Sequence, residues 1–529
     1  MRIRIRFYPN IRFHIMHWVD VVAEKLIAKG KSHTIASGTS ISGMIHIGNA
    51  GDVIMADAIR RAVNEKGGNA KLIWIMDDMD PLRKVPPQLP PEFKKFIGAP
   101  VSDLPWDENE NFVQHSIKPF IESLAQMGVK PEIISGTTMY KTGQYAESAR
   151  IAIEKADRIR QIFKEISGAE KPEDWLPFDP ICPKCGKIAT TDAIEYKDGL
   201  VHYICRGGVA GKERIEGCGD EGWLSLDKGK LTWRVEWAAR WKILGVTCEP
   251  FGKEHSASGG SYDTCKIIVK EIFGYDPPEP VLYEHILVDG QKMSKSLGNI
   301  VTLEEMLEVV KPEILRFFFF RAKATKHKDF NIKTDILPLV EEYEHVERLY
   351  YGIEQPSPAE DLGEMKRIYE LSQLEKATKE YFQIPYRHLA TIIQIRNEPE
   401  FVAHKLALPV EKIPALKEEM ARVSAWLAKY AGDDVRFEVQ KSIPEAAAKL
   451  DAAQKEILAK IAQKIEQNPS AEELHNFIYQ SAKDAGLAPQ RTFEAIYGII
   501  INKQRGPRAA GFLLALDREF VVKRLKMEA

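Results

Sequence analysis

The chain has 529 residues, of which 44% are hydrophobic and 28% are charged. At roughly 150 residues per domain, this length predicts three to four domains, and the composition excludes a wholly disordered or fibrous protein. The formal charge is -2, so a polyanionic partner would have to meet a local basic patch. No apolar run approaches the ~18 residues that a membrane-spanning helix needs. We expect a soluble, cytoplasmic protein with no membrane partner.

The first fifteen residues alternate Arg2, Arg4 and Arg6 with apolar side chains, but no hydrophobic signal-peptide region follows them. The spacing of an amphipathic helix begins only at His17. We therefore interpret residues 1–16 as an extension that is either disordered or the product of a mis-assigned start.

Short apolar runs alternate with helical patterns between residues 33 and 289, which predicts an α/β fold with a Rossmann-type parallel sheet. The predicted strands are 33–37, 71–76, 132–135, 246–251 and 281–288, and the predicted helices between them include 48–66, 112–127 and 143–167. Beyond about residue 332 only helical spacing remains. We predict a nucleotide-binding domain in two parts, 17–174 and 231–332, with a cysteine-rich insertion at 175–230 and an all-α domain at 333–529.

A loop of small residues, SGTSISGMIHIGN, joins the first predicted strand to the following helix. Backbone N–H groups in such a loop can approach a phosphate chain, and the helix N-terminus adds partial positive charge. His46 and Asn49 are one helical turn apart, so both side chains can reach the same oxygens. Alone this motif is weak, because small-residue turns between a strand and a helix are common.

A second motif, DGQKMSKSLGN, follows the last predicted strand directly. Lys292 and Lys295 are three residues apart among hydroxyl groups, which describes a mobile cationic loop suited to a developing pyrophosphate charge. Thr302 and Glu305 then predict a capping box that begins a new helix.

Together these motifs resemble the two signatures of class I aminoacyl-tRNA synthetases, HIGH in the stretch His46 to Asn49 and KMSKS in Lys292 to Ser296. Further strings resemble the class I lysyl-tRNA synthetase family, namely VEWAARW from Val235, GKEH from Gly252, YEH from Tyr283 and GPR from Gly506. The resemblance covers nearly the whole chain from His17, although Ile41 stands where the family usually has a proline.

The resemblance implies ATP-dependent attachment of L-lysine to tRNA(Lys) through a lysyl-adenylate, with Mg²⁺ carried in by ATP. No covalent enzyme intermediate is needed, so catalysis consists of positioning and of charge stabilisation at the phosphoryl oxygens. The implied catalytic residues are His46, Asn49, Lys292 and Lys295. The implied ATP-binding residues are these four together with Ser42, Gly43, Gly48, Met293, Ser294 and Ser296.

The resemblance also implies an amino-acid pocket formed by Gly38, Thr39, Trp237, His255 and Tyr283. The lysine ammonium needs a carboxylate or hydroxyl partner, and the carboxylates available by position are Asp77, Asp78, Asp80, Glu236 and Glu284.

The same resemblance implies that lysine activation requires tRNA and that the helical domain reads the anticodon. A local basic segment is needed to hold the tRNA phosphates in a chain of near-zero net charge. The candidates near the predicted hinge between the domains are Arg316, Arg321, Lys323, Lys326 and Lys328.

Four of the six cysteines lie in the insertion, at Cys182, Cys185, Cys205 and Cys218. The stretch CPKCG that starts at Cys182 is a knuckle in which two thiolates can wrap a tetrahedral metal. Four cysteine ligands leave no open coordination position, so we predict a structural Zn²⁺, with reduced structural thiols as the alternative. Cys248 and Cys265 are interpreted as core residues.

Three other functions remain open: a glutamyl- or cysteinyl-type class I synthetase, a nucleotidyltransferase acting on a small metabolite, and a non-catalytic RNA-binding paralogue. The long helical region disfavours the second, because a small substrate does not need such reach. The intact KMSKS string disfavours the third. Composition does not choose lysine over glutamate, glutamine or cysteine, and the oligomeric state is unknown from the sequence.

The change Lys295→Ala should lower kcat by roughly 10²- to 10³-fold with little change in the KM for lysine, because one donor to the transition-state charge is lost. Steady-state aminoacylation at varied lysine concentration measures both parameters. A wild-type kcat combined with a raised KM would contradict this role.

Overall fold

The computed structural model describes residues 16–41, 43–86, 89–293, 300–377 and 380–528, which form two compact units. Unit 1 comprises the chain up to residue 307 together with 312–330 and 352–377. Unit 2 comprises 308–311, 331–351 and the chain from 378 onward. Of the predicted N-terminal extension, all but Met16 lies outside the described residues.

The α-helices run through both units. In chain order they are α1 (Trp18–Lys29), α2 (Ile47–Glu65), α3 (Phe112–Gln126), α4 (Gly136–Lys141), α5 (Ala146–Glu154), α6 (Ala156–Ile162), α7 (Trp233–Leu244), α8 (Ser261–Glu271), α9 (Leu303–Val309), α10 (Pro312–Phe320), α11 (Ile336–Tyr350), α12 (Leu362–Ser372), α13 (Tyr386–Ile395), α14 (Pro399–Lys405), α15 (Ile413–Lys429), α16 (Ala452–Glu466), α17 (Ala471–Asp484), α18 (Pro489–Ile501), α19 (Ala509–Ala515) and α20 (Arg518–Leu525). Among the described residues, no helix has both the length and the apolar composition that crossing a membrane requires.

The strands all lie in unit 1. In chain order they are β1 (Ser32–Thr39), β2 (Asn69–Met76), β3 (Glu132–Ser135), β4 (Phe178–Pro180), β5 (Thr191–Lys197), β6 (Leu200–Cys205), β7 (Gly207–Ala210), β8 (Glu213–Glu216), β9 (Glu221–Ser225), β10 (Gly229–Leu231), β11 (Cys248–Gly252), β12 (Glu279–Tyr283), β13 (Ile286–Val288), β14 (Gln291–Lys292) and β15 (Lys328–Asp329).

The main sheet has the strand order β12-β11-β1-β2-β3, and all four neighbouring pairs are parallel. The predicted Rossmann-type α/β fold is therefore confirmed. In such a sheet the carboxyl ends of all strands meet at one edge, and the strand order reverses between β1 and β11. Thr39 and Tyr283, which end β1 and β12, therefore lie at the edge where doubly wound folds bind ligands, and α2 with His46 as its N-cap follows β1 there.

Two predicted elements are interrupted in the structure. The strand predicted at 281–288 is two strands, because the Glu284 N–H donates to the carbonyl of Ala324 and β13 joins β14 and β15 in a separate sheet. The helix predicted at 143–167 breaks at Lys155, whose ammonium donates to the carbonyl of Ile272 at 3.2 Å, and it ends in a π-helical turn at Phe163–Ser167.

The cysteine-rich segment is closed at its base by antiparallel pairing of β4 with β10. Between these strands lie a three-stranded sheet of order β5-β6-β9 and a β7-β8 hairpin. The described residues of unit 2 contain helices and loops without a strand, and their apolar core includes Ile461, Leu474, Ile496 and Phe512.

Arg316, on α10, is completely buried in unit 1. Its guanidinium donates to Asp57 Oδ2 at 3.2 Å and to the carbonyls of Leu371 and Met127 at 3.1 to 3.2 Å. Burial lowers the pKa of Arg316 to about 10, although Asp57 opposes that shift. The prediction that Arg316 contacts tRNA is therefore wrong. The residue instead joins α10, α2 and α12, which places residues 352–377 in unit 1.

Arg316→Met should reduce the free energy of unfolding by about 2–3 kcal/mol, because the buried carbonyls of Leu371 and Met127 lose their donor, whereas Asp57 keeps its ion pairs with Arg60 and Arg61. Urea unfolding followed by tryptophan fluorescence measures the loss. Lys323→Met, which removes an exposed cation from the same segment, is the control and should cost less than about 0.5 kcal/mol. Equal losses in the two variants would contradict the account.

Candidate active site

The first signature begins a helix at the carboxyl end of β1. His46 is the N-cap of α2, and its Nδ1 accepts a hydrogen bond from the Gly48 N–H at 3.1 Å. A Cβ at position 48 would lie 2.8 Å from the imidazole, so this approach requires glycine. Gly43 is buried in the preceding loop with a positive φ, and Ser42 lies outside the described residues.

The second signature begins on a β-hairpin. Asp289 and Gly290 have φ values of 52° and 71°, as a two-residue type I′ turn requires, and they join β13 to β14. Lys292, in β14, places its Nζ 3.2 Å from His285 Nε2. Residues 294–299, which include Ser294, Lys295 and Ser296, lie outside the described residues, so their predicted roles stay predictions.

The two signatures meet in a cleft of about 140 Å³. The first signature is also joined through the backbone to the segment that follows the second, because the Ile47 N–H donates to the Val301 carbonyl at 2.9 Å and His46 forms a β-bridge with Thr302. The walls of the cleft include His46, Gly48, Asn49, Tyr283, Lys292 and Met293. The structure therefore brings six of the predicted site residues into one place.

Three rings form an aromatic wall, namely Trp237 on α7, Phe251 in β11 and His255 just after β11. The Trp237 ring centroid is 5.6 Å from that of His255 and 5.4 Å from that of Phe251. The Trp237 indole N–H donates to Glu249 Oε2 at 3.1 Å. Burial lowers the pKa of His255, which favours a neutral imidazole at physiological pH. Trp237 and His255, both predicted pocket residues, are thus adjacent.

The remaining pocket residues differ in what they can offer a ligand. Thr39 is buried, and its hydroxyl already accepts a hydrogen bond from the Trp74 indole at 3.1 Å. A Cβ on Gly38 would lie 3.7 Å from an Arg240 nitrogen, so the glycine borders a buried cation. Tyr283 lies at the end of β12, and burial together with the nearby Asp52 carboxylate raises the pKa of its hydroxyl well above the usual range.

Three of the predicted ammonium-binding carboxylates belong to a buried ion network. Lys230 Nζ lies 2.6 Å from Asp80 Oδ1 and 2.8 Å from Glu236 Oε2. Arg240 pairs with Asp77 and lies 3.7 Å from Glu236. Burial would raise the pKa of Asp80, but the Lys230 ammonium outweighs it and the pKa is lowered. Sequence reasoning missed both cations, although Glu236 and Arg240 have the i,i+4 spacing of a helical ion pair.

The other two predicted carboxylates are also engaged. Asp78 accepts hydrogen bonds from the Ser135 hydroxyl at 2.6 Å and the Thr137 N–H at 2.7 Å. Glu284 pairs with Lys253 at 2.7 Å and with His327 at 3.3 Å. Every carboxylate that the sequence suggested for ammonium binding therefore has internal partners.

Lys328 is not an exposed member of a basic surface. It is 8% exposed and lines the same cleft as His46 and Lys292. Burial lowers its pKa to about 8. Its prediction as a tRNA contact is therefore wrong, whereas Lys323 and Lys326 of the same segment are exposed.

The four insertion cysteines converge, with their Sγ atoms all within 4.8 Å of one another. The Cys182–Cys218 and Cys185–Cys205 sulfur distances are 3.5 and 3.8 Å. Sulfurs around a tetrahedral ion at a Zn–S distance of ~2.3 Å are about 3.8 Å apart, so the four atoms fit such an ion. Cys248 and Cys265 are instead completely buried core residues, as interpreted.

Unit 2 contains an open cleft of about 1360 Å³. Aromatic and cationic side chains share its walls, an arrangement suited to stacking unpaired nucleobases and holding their phosphates. Glu341 offsets part of the charge, because it pairs with Arg387 at 3.0 Å. The aromatic and arginine residues of the walls are Tyr479, Phe493, Tyr497, Phe512, Arg348, Arg387, Arg505 and Arg508.

Residues 16–375 match the family model described as tRNA synthetases class I (K). A lysine–tRNA ligase of Methanosphaera stadtmanae is 41% identical over 97% of this chain and 99% of its own length. Lysine–tRNA ligases of Methanosarcina barkeri and Archaeoglobus fulgidus are 39% and 37% identical over 97% of this chain, and the matches cover 97% and 99% of those proteins.

Lys230→Met should lower the free energy of unfolding by about 3–5 kcal/mol, because it leaves Asp80 and Glu236 buried without their ammonium. Adding Glu236→Gln should restore part of that loss, since one uncompensated charge is removed. Urea unfolding of the single and double variants measures the coupling, with exposed Lys228→Met as control. If the losses in free energy of unfolding caused by Lys230→Met and by Glu236→Gln simply add up to the loss of the double variant, the two residues do not form a network.

Proposed function

The chain belongs to the family of class I tRNA synthetases (K), and on this basis we propose that it attaches L-lysine to tRNA(Lys) through a lysyl-adenylate. The observation that carries the proposal is the convergence of His46 and Asn49 with Lys292 in one cleft. The relatives named as lysine–tRNA ligases favour lysine over the glutamate and cysteine alternatives. They also disfavour a nucleotidyltransferase of small metabolites, because the similarity extends through the helical unit.

ATP would bind with its phosphates over the N-terminus of α2, where partial positive charge and the close approach at Gly48 favour an anion. His46 and Asn49 would hold the α- and β-phosphates as the lysine carboxylate attacks the α-phosphorus. Lys292 and Lys295 would stabilise the leaving pyrophosphate, and Met293 would contact ATP as a lining residue of the same cleft. Mg²⁺ bound to the ATP would neutralise further phosphate charge.

The lysine substrate would lie along the aromatic wall. The rings of Trp237 and Phe251, which are 6% and 5% exposed, would border its methylene groups, and a neutral His255 would avoid charge repulsion with the substrate ammonium. Gly38 would leave space next to the sheet edge, and Thr39 would keep that edge in place through its bond to Trp74.

The insertion would hold one structural Zn²⁺ through Cys182, Cys185, Cys205 and Cys218. The distances between the sulfurs favour the ion, and the Cys218 N–H, 3.3 Å from Cys205 Sγ, would orient that ligand. Thiolate ligands need a reducing compartment, which supports our proposal that the protein is cytoplasmic.

Purified protein should contain one zinc per chain by elemental analysis, and Cys182→Ser should lose it, because three thiolates hold the ion less tightly than four. Cys248→Ser is the matched control, since Cys248 lies in the core away from the cluster. Zinc retained in full by Cys182→Ser, or absent from wild-type protein, would reject the site.

Unit 2 would be the anticodon-binding domain, in line with the predicted helical domain at 333–529. Its cleft supplies stacking surfaces and arginines for unpaired bases, and the exposed Lys323 and Lys326 of unit 1 would hold tRNA phosphates. A tRNA that contacts both units could supply the free energy that orders the loops around the small, flexible lysine.

Pyrophosphate exchange tested with each of the twenty amino acids should respond to lysine alone. Exchange should stay near background without tRNA and rise when tRNA(Lys) with an oxidised terminal ribose is added, because this tRNA binds without being charged. Exchange with glutamate or cysteine would overturn the proposed function. Full exchange with lysine in the absence of tRNA would instead contradict only the tRNA requirement.

A further inference from the structure

A lysine-specific site needs a negative group for the substrate ammonium, and a group already neutralised within the protein serves poorly. The five carboxylates suggested by position are held by Lys230, Arg240, Lys253 or hydrogen-bond donors. We therefore expect the substrate ammonium to bind a carboxylate that forms no ion pair with a lysine, arginine or histidine of the protein.

Asp52, on α2, is such a carboxylate. It is 8% exposed, and its Oδ1 has no hydrogen-bond partner. No lysine, arginine or histidine within the described ranges forms an ion pair with it. Burying an unpaired carboxylate costs folding free energy, so its place in the core calls for a compensating role.

The position of Asp52 connects it to the active-site cleft. Gly48, Asn49 and Met55 line that cleft. Gly48 lies four residues before Asp52, Asn49 lies three residues before it, and Met55 lies three residues after it. These spacings place Asp52 on the same face of α2. Tyr283 also lines the cleft, and its hydroxyl is close enough to the Asp52 carboxyl to lower the pKa of that carboxyl.

Two carboxylates lie near Asp52. Burial raises the pKa of Asp52 well above its usual range, and the nearby carboxylates of Glu254 and Glu249 raise it further, while the Tyr283 hydroxyl opposes the shift. Glu249 also accepts the indole N–H of Trp237, so the aromatic wall and Asp52 share a neighbour. A cation placed here would relieve both the burial and the repulsion.

We infer that Asp52, together with the Tyr283 hydroxyl, binds the ε-ammonium of the lysine substrate and selects lysine over amino acids without a terminal cation. The inference rests on the proposed function and names a specificity residue for it. The ammonium would donate to Asp52 Oδ1 and to the Tyr283 oxygen. The substrate ammonium would thus offset the cost of burying the Asp52 carboxylate.

The test compares wild type with the isosteric Asp52→Asn variant in pyrophosphate exchange with tRNA present, using lysine and norleucine, which lacks only the ammonium. Asp52→Asn should raise the KM for lysine on the order of 100-fold, the scale for losing a buried charge partner. The KM for ATP should stay unchanged, and the preference for lysine over norleucine should fall by the same factor.

Two further measurements separate this role from a structural one. Without ligand, Asp52→Asn should unfold at the same or a higher temperature than wild type, because an amide costs less to bury than an unpaired carboxylate. Tyr283→Phe should raise the KM for lysine about 10-fold, the value of one hydrogen bond to a charged group. Asp276→Asn removes an exposed carboxylate of the same unit and should change neither parameter.

The outcomes distinguish the two proposals. Wild-type protein that activates lysine, with an Asp52→Asn variant of unchanged KM for lysine, overturns the assignment of Asp52 and leaves the proposed function intact. Wild-type protein that does not activate lysine overturns the proposed function, and this inference with it.

Discussion

Unit 1 depends on buried cations that hold buried carboxylates from distant parts of the chain. Lys230, at the base of the insertion, joins Asp80, which follows β2, to Glu236 on α7. Arg240 on the same helix joins Asp77. These contacts fix α7 against the carboxyl edge of the sheet, and α7 carries the aromatic wall. Breaking one partner of a buried pair is costly, so the wall and the sheet edge are held in a single arrangement.

Asp52 is an exception to this pairing of buried carboxylates with buried cations. A buried carboxylate without a cation destabilises the folded chain, and local rules of this kind are broken mainly at functional sites. We propose that the side-chain ammonium of the lysine substrate supplies the positive charge that Asp52 lacks. On this account, specificity comes from an unsatisfied charge beside Tyr283, and the matched pairs keep other carboxylates from competing for the substrate.

Sequence patterns predicted the parallel sheet and the capping box well, because each depends on neighbours within one turn or one strand. Thr302 and Glu305, for example, exchange the expected hydrogen bonds at 2.8 and 3.1 Å. Charge patterns did not predict ion pairs between residues that are far apart in the sequence. Arg316, for example, donates to Asp57, which precedes it by 259 residues. Lys328 is buried because β15 pairs with β13, which spacing does not reveal. Asp52 follows Asn49 by one turn, and that spacing was a usable signal.

A crystal structure with a non-hydrolysable lysyl-adenylate analogue tests the central claim most directly. The account predicts the lysine ammonium about 3 Å from Asp52 Oδ1 and the Tyr283 oxygen, with the phosphate mimic at His46 and Asn49. It also predicts that the pairs of Lys230 with Asp80 and Glu236 remain intact in the complex. An ammonium bound to Asp80 or Glu236 after displacement of Lys230, or one left in solvent, would contradict the account.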